Sequence, residues 1–221
     1  EGIFTHPAVN CDRPVEEVMQ GLRVLTADIA RRGHVPVTLG GEHSISYGAV
    51  MGVVDALGPL GLIHVDAHAD FRDAYQGHKF SHASVMHLLA GEGLHMVSLG
   101  VRALSVEEDA ARKAHGVITH DARQLMRDDT HEITLPEDFP KNVYITFDLD
   151  GLDPSVLPST GTPVPGGLGF YQALDLVESA AHGRNVKGID VVELAPVSGQ
   201  PVSDFTAALI SYHLMRIALD T

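Results

Sequence analysis

Short apolar runs without polar alternation constrain this chain more than any other feature. VPVTL (35–39), GLIHV (61–65), HMVSL (95–99), GVI (116–118), VYITF (143–147) and VKGIDVV (186–192) are rich in Val and Ile. Several lack the period-two pattern of a strand with one wet face, which predicts strands buried on both sides. Segments with helical patterning separate them, at 14–32, 45–57, 81–91, 104–115, 169–182 and 203–219. In the last of these, Ser203 is the expected N-cap and Leu209, Tyr212, Leu214 and Ile217 the expected apolar stripe. Such alternation predicts a parallel sheet sandwiched between helices. No low-complexity tract, repeat or long polar linker interrupts it, so residues 1–221 are expected to form a single domain.

Charge and cysteine content narrow the partners. A formal net charge of −14 argues against a nucleic-acid backbone, which needs patches of Lys and Arg. Trp is absent and aromatics are few, leaving little to stack on bases. An acidic surface weakly favours a small cationic molecule. Cys11 is the only cysteine, so an internal disulfide and a cysteine-only zinc site are both excluded. This suits a reducing compartment, and a cytoplasmic location is expected. No apolar run reaches the roughly 18 residues of a membrane span, so no membrane partner is expected.

In open parallel sheets, ligands bind at the carboxyl ends of the strands. Polar clusters follow three of the predicted strands directly: VPVTL runs into GGEHS, GLIHV into DAHAD and VYITF into DLDGLDP. Glu193 stands just past a fourth apolar run, in GIDVVELAP. Residues two apart in an extended segment face the same way, so Asp66, His68 and Asp70 can share a face. His64 has the same parity but lies inside the strand. Asp148 and Asp150 repeat the spacing, and two carboxylates facing one way repel unless a cation lies between them. Asp153, before Pro154, reads as a turn residue. Gly40 and Gly41 permit a tight exit that turns His43 back to the rim, and Ser44 is placed to cap the next helix.

Any one of these side chains alone would read as a loop residue or a satisfied core group. Together, like-facing ligand types beside a buried strand are costly unless paired or metal-bound. His43, Asp66, His68, Asp70, Asp148 and Asp150 exceed what one small cation needs and suit two metals sharing carboxylates. The oxygen-rich mixture favours Mn²⁺ over structural zinc. Two such ions lower the pKa of water from 15.7 toward roughly 7, so hydrolysis would need no Ser or Cys nucleophile.

GGEHS, DAHAD, FDLDGLDPSVLPSTGTPVPGGL and GIDVVELAP, in that order, resemble the ureohydrolase family, which includes arginase, agmatinase and other guanidino-compound hydrolases. The likeness runs from about residue 34 to the C-terminus. It implies a three-layer α/β/α, arginase-like fold with a mostly parallel sheet and two Mn²⁺ ions per subunit. By motif position, His43, Asp66, Asp70 and Asp148 would hold one ion. Asp66, His68, Asp148 and Asp150 would hold the other, with Asp66 and Asp148 bridging. A metal-bridging hydroxide would attack the guanidinium carbon, and the tetrahedral intermediate would collapse to urea and an amine.

The resemblance implies catalytic roles for three residues. Asp70 would hydrogen-bond the hydroxide and pass on its proton, Glu193 would pair with the guanidinium, and His82 would be the general acid toward the leaving amine. His78 and His87, close by, read as exposed loop and helix face. With six ligands assigned, His64 reads as a strand residue behind the site.

RDAYQGHKFSHAS resembles the agmatinase form of its loop. Phe71, Arg72 and Asp73 stand where arginases place an Asn that grips the α-amino-acid end. That favours agmatine, giving putrescine and urea in polyamine biosynthesis. If Arg72 met a carboxylate, guanidinobutyrate or another guanidino acid would fit instead; formimidoylglutamate hydrolysis and a non-catalytic family member are further alternatives. Homo-oligomers, trimers or hexamers, are expected. Two departures stand out. Glu42 replaces the Asp of the commoner GGDHS. EGIFTHPAVNCDR matches no family motif, and an N-terminal segment is expected to be missing ahead of it.

Overall fold

The computed structural model describes residues 2–221; Glu1 lies outside the described residues. Six strands pair into one sheet: β1 (Val37–Leu39), β2 (Gly61–Val65), β3 (His95–Leu99), β4 (Ile118–His120), β5 (Asn142–Asp148) and β6 (Asn185–Val192). Their order is β1-β6-β5-β2-β3-β4, and each neighbouring pair is parallel. All five residues of β2 are buried, as are six of the seven in β5, which accounts for their unbroken apolar character. After β4 the chain crosses back to place β5 on the other side of β2. The carboxyl ends of β2 and β5 therefore flank the point where strand order reverses, the usual place for a ligand crevice.

Helices cover both faces, and strand parity separates their cores. Ile63, Val65, Val97, Leu99, Ile145 and Phe147 pack with α6 (Phe170–Ala181) and α7 (Pro201–Asp220). Leu62, Met96 and Tyr144, one residue out of step, pack with α2 (Ile45–Leu57) and α3 (Val85–Gly91). The expected three layers are present. α1 (Val15–Arg31) stacks on α2, burying Val18 and Leu22 against Ile45 and Val192. α4 (Val106–Ala114) starts at a capping box, in which Ser105 and Glu108 satisfy each other's backbone N–H.

Several boundaries differ from expectation, for local reasons. β1 begins at Val37 rather than residue 35, because Pro36 has no N–H for the ladder. β4 begins at Ile118 rather than 116, since Gly116 adopts φ 70° in the turn after α4. A further helix, α5 (Ala122–Arg127), lies outside the expected set, since six residues are too few to show a periodic apolar stripe. The helix expected at 81–91 opens as a 3₁₀ turn over His82–Ser84 before α3. α7 starts at Pro201, a favoured first helical residue, so Ser203 is buried within the helix rather than capping it. Its inward stripe is Ala207, Ile210, Leu214 and Ile217, while Tyr212 is exposed and Leu209 half-buried.

Two glycines four apart bring α1 and α2 together. A Cβ on Gly48 would lie 2.2 Å from the Met19 carbonyl oxygen, and one on Gly52 would lie 2.1 Å from Thr26 Oγ1. Gly21, on the exposed side of α1, has nothing within 4 Å of such a Cβ. Gly48→Ala and Gly52→Ala should each destabilise by about 1–3 kcal/mol through overpacking. Gly21→Ala should stabilise by about 0.5–1 kcal/mol through helix propensity. Urea unfolding midpoints of the three variants check both signs.

Candidate metal and substrate site

Three carboxylates of the cluster each use one oxygen to fix backbone and turn the other inward. Asp66, following β2, accepts the His68 N–H on Oδ1 at 2.6 Å. Asp148, ending β5, accepts the Asp150 N–H on Oδ1 at 2.8 Å. Asp150 accepts the Ala67 N–H on Oδ1 at 3.0 Å, tying the β5 loop to the β2 loop. The inward oxygens converge. Oδ2 of Asp66, Asp70 and Asp148 lie 3.1, 3.1 and 3.2 Å from His43 Nδ1. His68 Nδ1 lies 3.0 Å from Asp150 Oδ2 and 3.4 Å from Asp66 Oδ1. Asp66 thus stands between the two histidines.

His43 Nδ1 is buried, and among the described residues it makes no hydrogen bond of acceptable geometry despite three nearby oxygens. Such an orphan, ringed by carboxylate oxygens, marks the place of a cation rather than of a proton-mediated contact. Two sets of donor atoms lie close enough for a metal: His43, His64 and Asp66, and Asp66, His68 and Asp150. They share Asp66. This donor set fits a divalent cation.

Electrostatics within the cluster are severe. Burial draws the His43 imidazole down, but the carboxylates of Asp148, Asp66 and Asp70 outweigh it and hold it well above its ordinary value. His68 is likewise drawn down by burial and raised by Asp150 and Asp66, to about 11. Burial and the neighbouring Asp66 push Asp70 up to about 7. Burial, followed by the charge of Asp66, also drives Asp148 well up. Asp66 is the exception: burial would raise it, but contacts with His43, His64 and His68 hold it well below the carboxylate range. Like charges crowd together here to a degree that a divalent cation relieves.

The three expected catalytic residues border this cluster. Asp70 is buried and Glu193 half-buried, and both adopt positive φ, 53° and 66°. Such conformations are rare outside glycine and gather at functional sites. Glu193 accepts the His43 backbone N–H on Oε1 at 2.7 Å, and burial raises its carboxyl. His82 stands exposed on the rim, 3.8 Å from Glu42 Oε2, with its ring 5.3 Å from that of Tyr75. His78 is exposed, whereas His87 is half-buried with Nδ1 3.3 Å from the Arg72 carbonyl. Ser44 occupies the N-cap of α2 without capping it; its hydroxyl donates to Glu42 instead. Arg72 leans on the Tyr75 ring at 5.4 Å, with Nε 3.8 Å from Glu108.

Other contacts carry residues that the sequence reading did not single out. The Arg102 guanidinium donates to the carbonyls of Gly100, Asp150, Gly151, Leu152 and Val164 at 2.7–3.2 Å, clamping the loop after β5. Thr162 donates to Asp150 Oδ2 at 3.1 Å. Behind the ligands, Thr146 meets His43 Nε2 at 2.9 Å and donates to Asp190 at 2.7 Å. His64 lies behind the site as expected, yet it also touches a ligand: Nε2 is 3.0 Å from Asp66 Oδ2 and Nδ1 is 3.1 Å from Ser98 Oγ.

A family model described as "Arginase family" matches residues 4–217. The chain belongs to the arginase family. The match starts well ahead of residue 34 and takes in most of the segment 1–13 that carries no recognisable motif. Among arginase-family relatives, N(1)-aminopropylagmatine ureohydrolase of Thermus thermophilus is 41% identical over 85% of this chain and 64% of its own length. Agmatinase of Pyrococcus horikoshii is 33% identical over 83% of this chain and 63% of its own. This chain therefore spans less than two thirds of either relative. The crystal structure of agmatine ureohydrolase of Thermoplasma volcanium superposes with a TM-score of 0.78 at 30% identity, covering 93% of this chain and 69% of that one. Among the described residues, no helix is long and apolar enough to cross a membrane.

Asp153 holds the loop as the turn residue it was expected to be. Its carboxylate accepts from Ser155 N and Oγ and from the N–H groups of Gly166 and Gly167, and these bonds lower its pKa to about 2. A carboxyl depressed in the folded state stabilises above its unfolded value, 3.8, and loses that effect as pH falls toward 2. Hydrogen exchange at the Gly166 and Gly167 amides, corrected for intrinsic rates, should lose protection across that interval. Asp153→Ala should show the loss already at neutral pH.

Proposed function

We propose that this chain carries the active site of a two-manganese hydrolase that splits a guanidino group into urea and an amine. The observation that carries the reading is the orphaned His43 Nδ1 within 3.2 Å of three inward carboxylate oxygens, with Glu193 bonded to the same residue's backbone. His43, Asp66, Asp70 and Asp148 would hold one Mn²⁺, and Asp66, His68, Asp148 and Asp150 the other. Bound there, the ions supply hydroxide at neutral pH by lowering the pKa of water to roughly 7.

The remaining work falls to side chains. Glu193 pairs with the guanidinium, a charge-assisted contact that orients the carbon toward the cluster. Asp70, whose Oδ2 lies 3.1 Å from His43 Nδ1, would hydrogen-bond the hydroxide and pass its proton to the leaving nitrogen. His82, on the rim beside Glu42, delivers a proton to the leaving amine as the tetrahedral intermediate breaks.

An amine substrate without a carboxylate is favoured by Arg72. That guanidinium rests on Tyr75 and near Glu108, committed to the loop rather than offered to a substrate carboxylate. Agmatine, yielding putrescine, is the first choice. N(1)-aminopropylagmatine is the second, because the Thermus relative carries that activity in its name. Homo-oligomers and a cytoplasmic setting complete the proposal.

Urea release should follow Mn²⁺ addition to metal-stripped protein with agmatine or its aminopropyl derivative, and be weaker with arginine or guanidinobutyrate. No urea from any guanidino compound would refute the assignment. Asp150→Asn should lower kcat/KM by more than the ~10–100-fold typical of an outer-sphere partner, since a ligand itself is lost. Turnover at the wild-type rate in that variant would contradict a two-metal mechanism.

A further inference from the structure

Each of five sheet strands carries a buried or half-buried polar residue at the same level, one residue before the end of β1, β2 and β3 and two before the end of β5 and β6. They are Thr38, Asp190, Thr146, His64 and Ser98. Register aligns them side by side: Thr38 with Asp190, Asp190 with Thr146, Thr146 with His64 and His64 with Ser98. The row lies directly behind Asp66 and Asp148. Asp190, Thr146 and His64 are fully buried and Ser98 nearly so, a costly placement in the middle of apolar strands unless the groups have partners.

We propose that this row is a positioning layer for the metal ligands, in which Asp190 acts through Thr146 to hold the His43 imidazole with Nδ1 free of its proton and turned toward the carboxylates. The inference rests on the metal-site reading above. Its core is a count of protons. A hydroxyl has one proton to give; Thr146 Oγ1 lies 2.7 Å from Asp190 Oδ1 and 2.9 Å from His43 Nε2. Donating to the carboxylate, it must accept from the imidazole, so Nε2 carries the hydrogen. In the neutral ring, the form that a cation at Nδ1 requires, the lone pair is then left on Nδ1, the atom 3.1–3.2 Å from three carboxylate oxygens. The opposite tautomer would require Thr146 to donate to His43 and would strip Asp190 Oδ1 of its donor. Because Thr146 and Asp190 are register partners on β5 and β6, the sheet ladder fixes that half of the relay, and His43 meets it from the loop after β1.

The other branch is built alike. His64 places one ring nitrogen 3.1 Å from Ser98 Oγ and the other 3.0 Å from Asp66 Oδ2. Outer partners of this kind orient a ligand and raise its basicity, and their loss typically weakens metal binding by ~10–100-fold.

The test is Mn²⁺ titration of the metal-stripped full chain by calorimetry and chelator competition, with no substrate present. Thr146→Val should weaken one of the two binding events by ~10–100-fold and the other far less. Thr146→Ser, which keeps the hydroxyl, should restore wild-type affinity. Asp190→Asn, which removes the charge at the end of the relay, should weaken the same event. Thermal melting of the stripped proteins tells a folding defect from a binding one. Should Thr146→Val not fold, Asp190→Asn and Thr146→Ser still decide the matter. Unchanged affinity in folded Thr146→Val or Asp190→Asn would overturn the relay while leaving the hydrolase reading intact. Equal weakening in Thr146→Ser would overturn it too. If the wild-type chain bound no Mn²⁺, the two-metal reading itself would fall.

Discussion

Mutual repulsion among buried carboxylates is the constraint around which this molecule is arranged. Asp66, Asp70 and Asp148 each turn an oxygen toward the same imidazole nitrogen in a space without solvent. No apolar packing would choose that arrangement, since ionised groups taken from water are costly unless paired. The sheet makes it possible by rigidity. β2 and β5 are neighbours with fixed register, so the carboxylates at their ends are held together whether or not they repel. The Ala67 N–H then joins the two loops by donating to the Asp150 carboxylate.

Outside the sheet, the same repulsion is resisted by loops with few degrees of freedom. Arg102 gathers five carbonyl groups around one guanidinium, and Asp153 gathers two donors from Ser155 and the backbone N–H groups of Gly166 and Gly167. Asp70 and Glu193 accept unfavourable backbone torsions that place their side chains at the cluster. Strain of this sort costs of order 1–3 kcal/mol per residue and persists only where the surroundings over-determine it. Cross-linked loops on a fully buried sheet provide such surroundings.

Much of this was legible in the sequence because two periodicities report it directly. Non-alternating apolar runs declared the buried parallel sheet, and the D-x-H-x-D and D-x-D spacings declared which side chains share a face. Less legible were features set by tertiary partners. α5 is too short to show a periodic stripe, and the start of α7 is decided by Pro201 rather than by Ser203. Arg102 follows β3 with nothing in its neighbourhood to say that its partners lie some fifty residues on. The polar row was visible but unread. VPVTL, GLIHV, HMVSL and VYITF each have a polar residue in fourth place, as does KGIDV counted from Lys187. Each looks like an ordinary blemish in an apolar run, and only strand register reveals that they line up.

Strand order also has a consequence for how the molecule comes into being. Among the described residues β1 pairs with β6 alone, and along the chain β6 is separated from it by the other four strands of the sheet. The bond between His43 and Glu193 spans 150 positions of chain. At ~5–20 residues per second of synthesis, that gap corresponds to roughly 8–30 s on the ribosome. During that interval β2, β3 and β4 can assemble ahead of β6. All six proposed metal ligands, His43 to Asp150, are made before β6, so the ion site would have its donors in hand before Glu193, the proposed substrate contact, exists.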